Sequence, residues 1–380
     1  LRRHARRVLF GATALAVTAA ATAAAITTAQ AETTDPGDPA AEIAAAPPLA
    51  EPTGPFNIGT TELHLVDEGR ADPWFPEEDR QLMVSMWFPT DDQGRTAPYM
   101  TADESAVFVD QLGIDAPADY FASVETNAVA DAEPVRGKLP LVMLSPGWSF
   151  PRATLTGLAE ELASHGYAVA AIGHNYEAPM SLPDGETNGC LACPTEPAGT
   201  DVTAYRAEDF AFVLDELTAH GSDWRRHIDR DGVVAGGHSM GGSGAHTVMQ
   251  TDERFTAGFN LDGKIHDIED AHIDRPFLLL GNQKNGLPGS SDNNWLPAWD
   301  QMSDWKRWIQ VEQTTHSSFT DLATFADDLD IPTQEMDGAR TLELTRAYVT
   351  AFVNQELRGE DEPLLDGPSD DWPEAVFHNP

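Results

Sequence analysis

One short stretch limits the fold of this 380-residue chain more than any other. Gly237-His238-Ser239-Met240-Gly241-Gly242 follows the apolar run Gly232-Val-Val-Ala235 and precedes Ser243–Gln250, which is compatible with a helix. Gly-x-Ser-x-Gly set between a strand and a helix is the sequence form of a nucleophile elbow. The serine is held in a strained turn, and the flanking glycines let neighbouring backbone pass close by. The N–H of the next residue, Met240, then faces the place where an oxyanion would form. The alternative reading is a glycine-rich packing turn.

The rest of the chain supplies the sheet that such a turn needs. Short β-type runs recur at Thr61–Val66, Leu82–Phe88, Leu139–Leu144, Tyr167–Ile172, Gly232–Ala235, Ala257–Leu261, Phe277–Leu280 and Trp308–Glu312. From Leu139 onward they are mostly apolar on both faces and separated by helical patterns, the signature of a parallel sheet covered on both sides. Helices are expected at Ala153–His165 and Tyr205–His220, closed by Gly166 and Gly221 as left-handed caps. The reading is one α/β domain with a mostly parallel eight-stranded sheet, spanning residues 58–380, with loops at 91–136 and 174–204 framing a pocket.

A serine hydroxyl needs a base to take its proton, and the base needs an acid to orient it. Among the downstream histidines, His246 lies in the helix after the elbow and His378 in the C-terminal tail, while His266 and His272 follow an earlier strand. His316 stands in the polar loop Gln313-Thr-Thr-His-Ser-Ser-Phe319 immediately after the last strand, where parallel sheets assemble their sites. Asp262 is the favoured acid, at the end of Ala257–Leu261. The later run Phe277–Leu280 leads into Gly281-Asn-Gln-Lys-Asn-Gly286 and offers no carboxylate before Asp292, the rival. A second oxyanion donor is expected from the backbone N–H of Trp148 in Ser145-Pro-Gly-Trp-Ser149, after the first central strand. Phe150, Trp295, Trp299 and Phe319 are candidates for apolar pocket walls.

Charge and composition narrow partners and compartment. With 62 acidic against 23 basic residues the formal net charge is −39. Nucleic acid and anionic surfaces would be repelled, and neutral or zwitterionic substrates fit better. Arg2, Arg3, Arg6 and Arg7 precede an Ala-rich apolar stretch and Ala29-Gln30-Ala31, which together read as a secretory signal peptide over residues 1–31, cleaved near Ala31. A secreted mature form without a stable membrane span is expected. Residues 32–57 read as a flexible Ala/Pro/acidic linker. Cys190 and Cys193 are expected to form a loop disulfide, since no second pair or histidine cluster completes a metal site. No metal, phosphate-loop or dinucleotide motif competes with the elbow, so no cofactor is expected.

Several segments together resemble the platelet-activating factor acetylhydrolase family of α/β-hydrolases in its secreted bacterial form. They are Leu139–Trp148, Leu162–Ile172, Gly237–Gly242, Asn260-Leu-Asp-Gly263 and Thr315–Asp321, with Arg80–Pro89 early and Pro363–Pro368 late. The resemblance spans roughly residues 58–376. It implies an α/β-hydrolase fold, a catalytic serine and histidine at Ser239 and His316, and the aspartate at Asp262. It also implies short acyl chains on phospholipid-like or simple alcohols. One departure stands out: the family commonly has His-Gly where this chain has Pro146-Gly147, a feature shared in look with cutinase-like polyester hydrolases. Those place their acid after the later strand. A cutinase-like lipase or polyesterase, and a non-catalytic binding protein on the same fold, are the alternatives.

Overall fold

A computed structural model describes residues 45–269, 271–326, 328–329 and 334–379. The expected signal peptide lies outside them, as does the first part of the expected linker. In chain order the elements are β1 (Ile58–Ala71), β2 (Asp79–Pro89), β3 (Thr96–Pro98), α1 (Ala102–Leu112), β4 (Glu125–Ala130), β5 (Leu139–Ser145), α2 (Thr156–Ser164) and β6 (Ala168–His174). A small hairpin follows, β7 (Met180–Ser181) and β8 (Thr187–Asn188), and then α3 (Gly199–Thr218), β9 (Ile228–His238), α4 (Met240–Thr251) and β10 (Ala257–Leu261). The chain continues through β11 (Phe277–Asn282), α5 (Trp295–Trp299), β12 (Lys306–Val311), α6 (Leu322–Phe325), α7 (Gly338–Arg358) and β13 (Ala375–Phe377).

Alternation along the central strands builds two cores at once. Leu141 and Met143 of β5, with Ala168, Ala170 and Ile172 of β6, face α3 and α4 through Phe210, Val213, Ala245 and Val248. Val142 and Leu144, with Val169 and Ala171, face α2 and α7 through Leu158, Leu162, Tyr348 and Phe352. Both faces being dry, these strands read as continuous apolar runs, as parallel strands do. The sheet order is β13-β12-β11-β10-β9-β5-β6-β2-β1-β4-β3. From β12 to β6 every neighbouring pair is parallel. This is the α/β-hydrolase architecture, and it gathers the carboxyl ends of β5, β9, β10, β11 and β12 on one edge.

Four expectations need correction. The sheet has eleven strands, not eight. The eight runs all form strands, but β3, β4 and β13, each of six residues or fewer, add the edges. Segment 91–136 is accordingly no open loop, since it carries β3, α1 and β4. Gly166 caps its helix with φ +95, whereas α3 stops at Thr218 because Ala219 turns extended, and Gly221 has no left-handed backbone. Finally, residues 45–57 do not behave as a linker. Ala46 and Leu49 are buried beside Tyr99, Met100 and Phe121, the Leu49 N–H donates to the Glu125 carbonyl at 2.9 Å, and Thr53 N–H donates to Glu161 at 3.0 Å. Two small apolar side chains in an acidic, proline-rich segment are enough to dock it.

Residues 43–380 group as one unit, and among the described residues no helix is long and apolar enough to cross a membrane. Because Leu49 is 4% exposed, Leu49→Ala is expected to cost about 2–3 kcal/mol in urea unfolding and to open residues 45–57 to proteolysis. A flexible linker would show neither effect.

Candidate active site

The elbow combines a strained serine with glycines that close packing demands. Ser239 has φ +53 and ψ −120, a left-handed conformation that costs a non-glycine residue about 1–3 kcal/mol. A Cβ on Gly241 would lie 1.8 Å from the Ser145 carbonyl oxygen, and one on Gly237 would lie 2.2 Å from it. The end of β5 therefore packs directly on the turn, leaving no room for any side chain. Gly263 approaches equally closely, its Cβ position being 2.1 Å from the Ser239 carbonyl oxygen. Three strand ends thus meet backbone to backbone around one serine.

Into this frame the remaining groups converge. Ser239 Oγ lies 2.7 Å from His316 Nε2, and His316 Nδ1 lies 2.6 Å from Asp262 Oδ2. His316 is 47% exposed at its side chain while Asp262 is fully buried. Asp262 takes φ +59 and is held by donors from the following strand: Asn282 N–H at 2.8 Å, Asn282 Nδ2 at 2.6 Å and Asn285 Nδ2 at 3.2 Å. The end of β11 and the loop after it, which lack a carboxylate, thus supply the amides that support one. Asp292 instead faces solvent, 3.6 Å from Lys284 Nζ. Asn282 and Asn285 are absent from the sequence reading. Their signal was an amide-rich turn at a strand end, which carries no mark of its partner.

Met240 begins α4, so its N–H is one of those that a helix start leaves without an intrahelical acceptor. Trp148 is half-buried in the turn after β5, where Phe150 N–H donates to the Gly147 carbonyl at 3.1 Å. His238 is buried between these parts. Its Nε2 lies 2.7 Å from the His316 carbonyl oxygen, which can only accept, so Nε2 carries the proton. Burial and the neighbouring His316 push its pKa well below the usual histidine value, which keeps the ring neutral. Its ring lies 4.7 Å from that of His316 and stacks on Phe150 at 5.7 Å.

Of the expected pocket walls, only Phe150 borders the site. Trp295 and Trp299 are buried in the core against Trp308, at 5.4 and 5.9 Å, and Trp295 Nε1 donates to the Gly263 carbonyl at 2.7 Å. Phe319 is 1% exposed, packed with the cluster around β10 and α7. Instead Trp74 meets Trp148 edge-on at 5.6 Å and Tyr205 at 5.9 Å, an aromatic cluster on the turn after β5. A cavity of about 340 Å³ lined by Met83, Trp87, Tyr99 and Arg152 has none of Ser239, Asp262 and His316 among its walls. Cys190 and Cys193 are joined by a disulfide in the loop before α3. Among the described residues no cluster of histidine, cysteine or carboxylate side chains could hold a metal.

The chain matches no protein-family model. It aligns with a solved ferulic acid esterase from Streptomyces cinnamoneus at 40% identity and a TM-score of 0.80, covering 88% of this chain and 99% of that one. The chain belongs with the esterases of the α/β-hydrolase fold. It is similar to a probable 1-alkyl-2-acetylglycerophosphocholine esterase of Arthroderma benhamiae, with 28% identity over 87% of this chain and 93% of the relative. It is also similar to the platelet-activating factor acetylhydrolase of Cavia porcellus, with 22% identity over 82% of this chain and 81% of the relative. These relatives are ester hydrolases, and so is this chain.

The other histidines have other surroundings. His246 is buried against Phe277, ring centroids 5.5 Å apart, and that burial pushes its pKa down to about 3. The unfolded chain takes up the proton near pH 6.5 and the folded one only near 3, so folding stability falls as pH drops through that window. His246→Leu is expected to remove this share of the acid sensitivity. Urea midpoints of the variant and the parent, compared near neutrality and at about pH 4, should differ between the two conditions. An equal difference at both would contradict the assignment.

Proposed function

We propose that this esterase is a secreted serine carboxylesterase that works through Ser239, His316 and Asp262 on short-acyl esters of phospholipid-like or simple alcohols. The observation that carries the reading is the unbroken line of contacts from Ser239 Oγ to His316 Nε2 and from His316 Nδ1 to Asp262, at 2.7 and 2.6 Å. In it Ser239 attacks the ester carbonyl while His316 takes its proton. Asp262, acceptor-only and held by Asn282, fixes the imidazole with its proton on Nδ1 and stabilises the imidazolium. The N–H groups of Trp148 and Met240 receive the oxyanion. His316 then protonates the departing alcohol and activates the water that clears the acyl-enzyme. Every step is acid–base and nucleophilic, and none calls for a cofactor.

The acetylglycerophosphocholine esterase among the relatives supports the short-acyl reading. A second reading, a hydroxycinnamoyl esterase, is favoured by the relative named ferulic acid esterase and by the aromatic cluster of Trp74, Trp148 and Tyr205 on the turn after β5. Export is inferred from the arginine-led, alanine-rich head of the sequence.

Ser239→Ala is expected to abolish hydrolysis of p-nitrophenyl acetate, and Asp262→Asn to lower kcat about a thousandfold to ten-thousandfold with Asp292→Asn near parental. Retained activity in Ser239→Ala would overturn the mechanism. Across p-nitrophenyl esters from acetate to palmitate, with methyl ferulate alongside, the rate should peak at the short end. A peak at methyl ferulate selects the second reading, and one at palmitate a cutinase-like or lipase activity.

A further inference from the structure

We propose that Arg206 is a positioning residue for the oxyanion hole: its buried guanidinium grips the Pro146 carbonyl and so fixes the peptide plane adjoining the one that carries the Trp148 N–H, setting the turn before substrate arrives. The inference rests on the reading that Trp148 and Met240 supply the oxyanion donors.

A backbone donor is aimed only as well as its peptide plane is fixed. In a trans peptide the carbonyl and the next N–H point opposite ways, so the Pro146 carbonyl orients the Gly147 N–H and the Gly147 carbonyl orients the Trp148 N–H; holding the first plane limits how the second can turn. Proline has no N–H, which leaves the carbonyl as the only main-chain handle on Pro146. Arg206 Nη1 donates to that carbonyl. The following carbonyl, of Gly147, is taken by Phe150 N–H at 3.1 Å, which turns Trp148 N–H the other way. Beyond it, Ser149, at φ +68, donates its N–H to the Glu177 carbonyl at 3.1 Å. Arg206 and Glu177 are themselves bonded, Nε to Oε2 at 2.9 Å. One ion pair therefore grips the turn on both sides of Trp148, through an arginine side chain on one and a glutamate carbonyl on the other.

The grip extends to the second donor. A Cβ placed on Gly244 would lie 3.1 Å from Arg206 Cβ, so the arginine stem rests on α4, the helix whose first N–H belongs to Met240. Behind it stands a sealed charge cluster. Arg80 contacts Asp72, Glu177 and Asp209 at 2.9, 3.2 and 2.6 Å. Asp209 accepts from His174 Nδ1 at 2.7 Å, His174 Nε2 accepts from Ser145 Oγ at 2.8 Å, and Ser145 Oγ accepts from Arg206 Nη1 at 3.1 Å. Ser145, His174 and Asp209 thus repeat the order of the catalytic line, yet all three are within 2% of full burial. With no access to substrate they act as a strut, holding Arg206 where water cannot compete for the carbonyl. A charge-assisted bond in such a place is roughly twice as strong as a neutral one.

The readout must separate aim from folded amount. A thionoester puts sulfur, larger and a weaker acceptor, where the ester puts oxygen, so the ester-to-thionoester ratio of kcat/KM reports how well the hole is set. Loss of folded protein lowers both substrates alike and leaves the ratio unchanged. Arg206→Lys, with active sites counted by an organophosphate burst, is expected to lower ester kcat about 10–100-fold with little change in KM, and to lower the ratio at least about fivefold. Glu177→Gln loosens the same arginine while keeping the Glu177 carbonyl. It should move the ratio the same way, and it provides the reading if the lysine variant does not fold. A ratio equal to the parent's would overturn the inference at any level of activity. Retained activity in Ser239→Ala would instead defeat the catalytic reading beneath it, so the two failures are distinguishable.

Discussion

The close approach of the Ser145 carbonyl to Gly237 and Gly241 is the constraint around which the site is arranged. It brings the end of β5 into contact with the turn after β9, and so sets the turn that carries Trp148 beside the elbow. It also leaves Ser239 in a backbone conformation that its own preferences oppose. The packing of β5 on β9 and of α4 on both is what offsets that strain. A methyl group at either glycine would separate the parts without altering a single catalytic side chain.

The acid is the second point at which neighbouring strands cooperate. In this chain the carboxylate stands at the end of β10, and the next strand contributes Asn282 and Asn285 as donors to it. The division has a physical logic. A buried carboxylate costs free energy unless its lone pairs are filled, and His316 alone fills one side of it. The asparagines fill the remainder, and they aim Asp262 Oδ2 at His316. The residues that bracket the charge come from the end of β11 and from the loops after β11 and β12, at the carboxyl edge of the parallel sheet.

The ion cluster beneath the turn after β5 is costly by the same reasoning. Arg80, Arg206, Asp72, Glu177 and Asp209 are all nearly inaccessible to water, and removing one partner of such a set typically costs about 3–5 kcal/mol. Burial opposes ionisation of Asp209, but Arg80 and His174 draw its carboxyl well below the usual range, so it stays charged. An apolar core would have supported the sheet equally well. What charged groups add is direction, since a guanidinium holds named oxygens at fixed angles where packed methyl groups hold only a volume.

Much of this was written locally and some of it was not. The eight longer strands were legible because burial on both faces leaves an unbroken apolar run, and the elbow because a strained turn restricts residue type at each position. His316 and Asp262 followed from strand ends alone. The short edges β3, β4 and β13 were not legible, since three to six residues with one neighbour carry too little pattern. Nor could aromatic residues be sorted, and Trp295 and Trp299 proved to be core while Trp74, distant in sequence, packs on Trp148. The sequence by itself determined the fold class and singled out Ser239, His316 and Asp262, because each stands at a strand end marked by residue types at short range. Only the tertiary structure decided which amides complete Asp262 and which arginine holds Pro146. Those contacts join residues 20 and 60 positions apart, and no local preference records a partner that the sheet alone brings near.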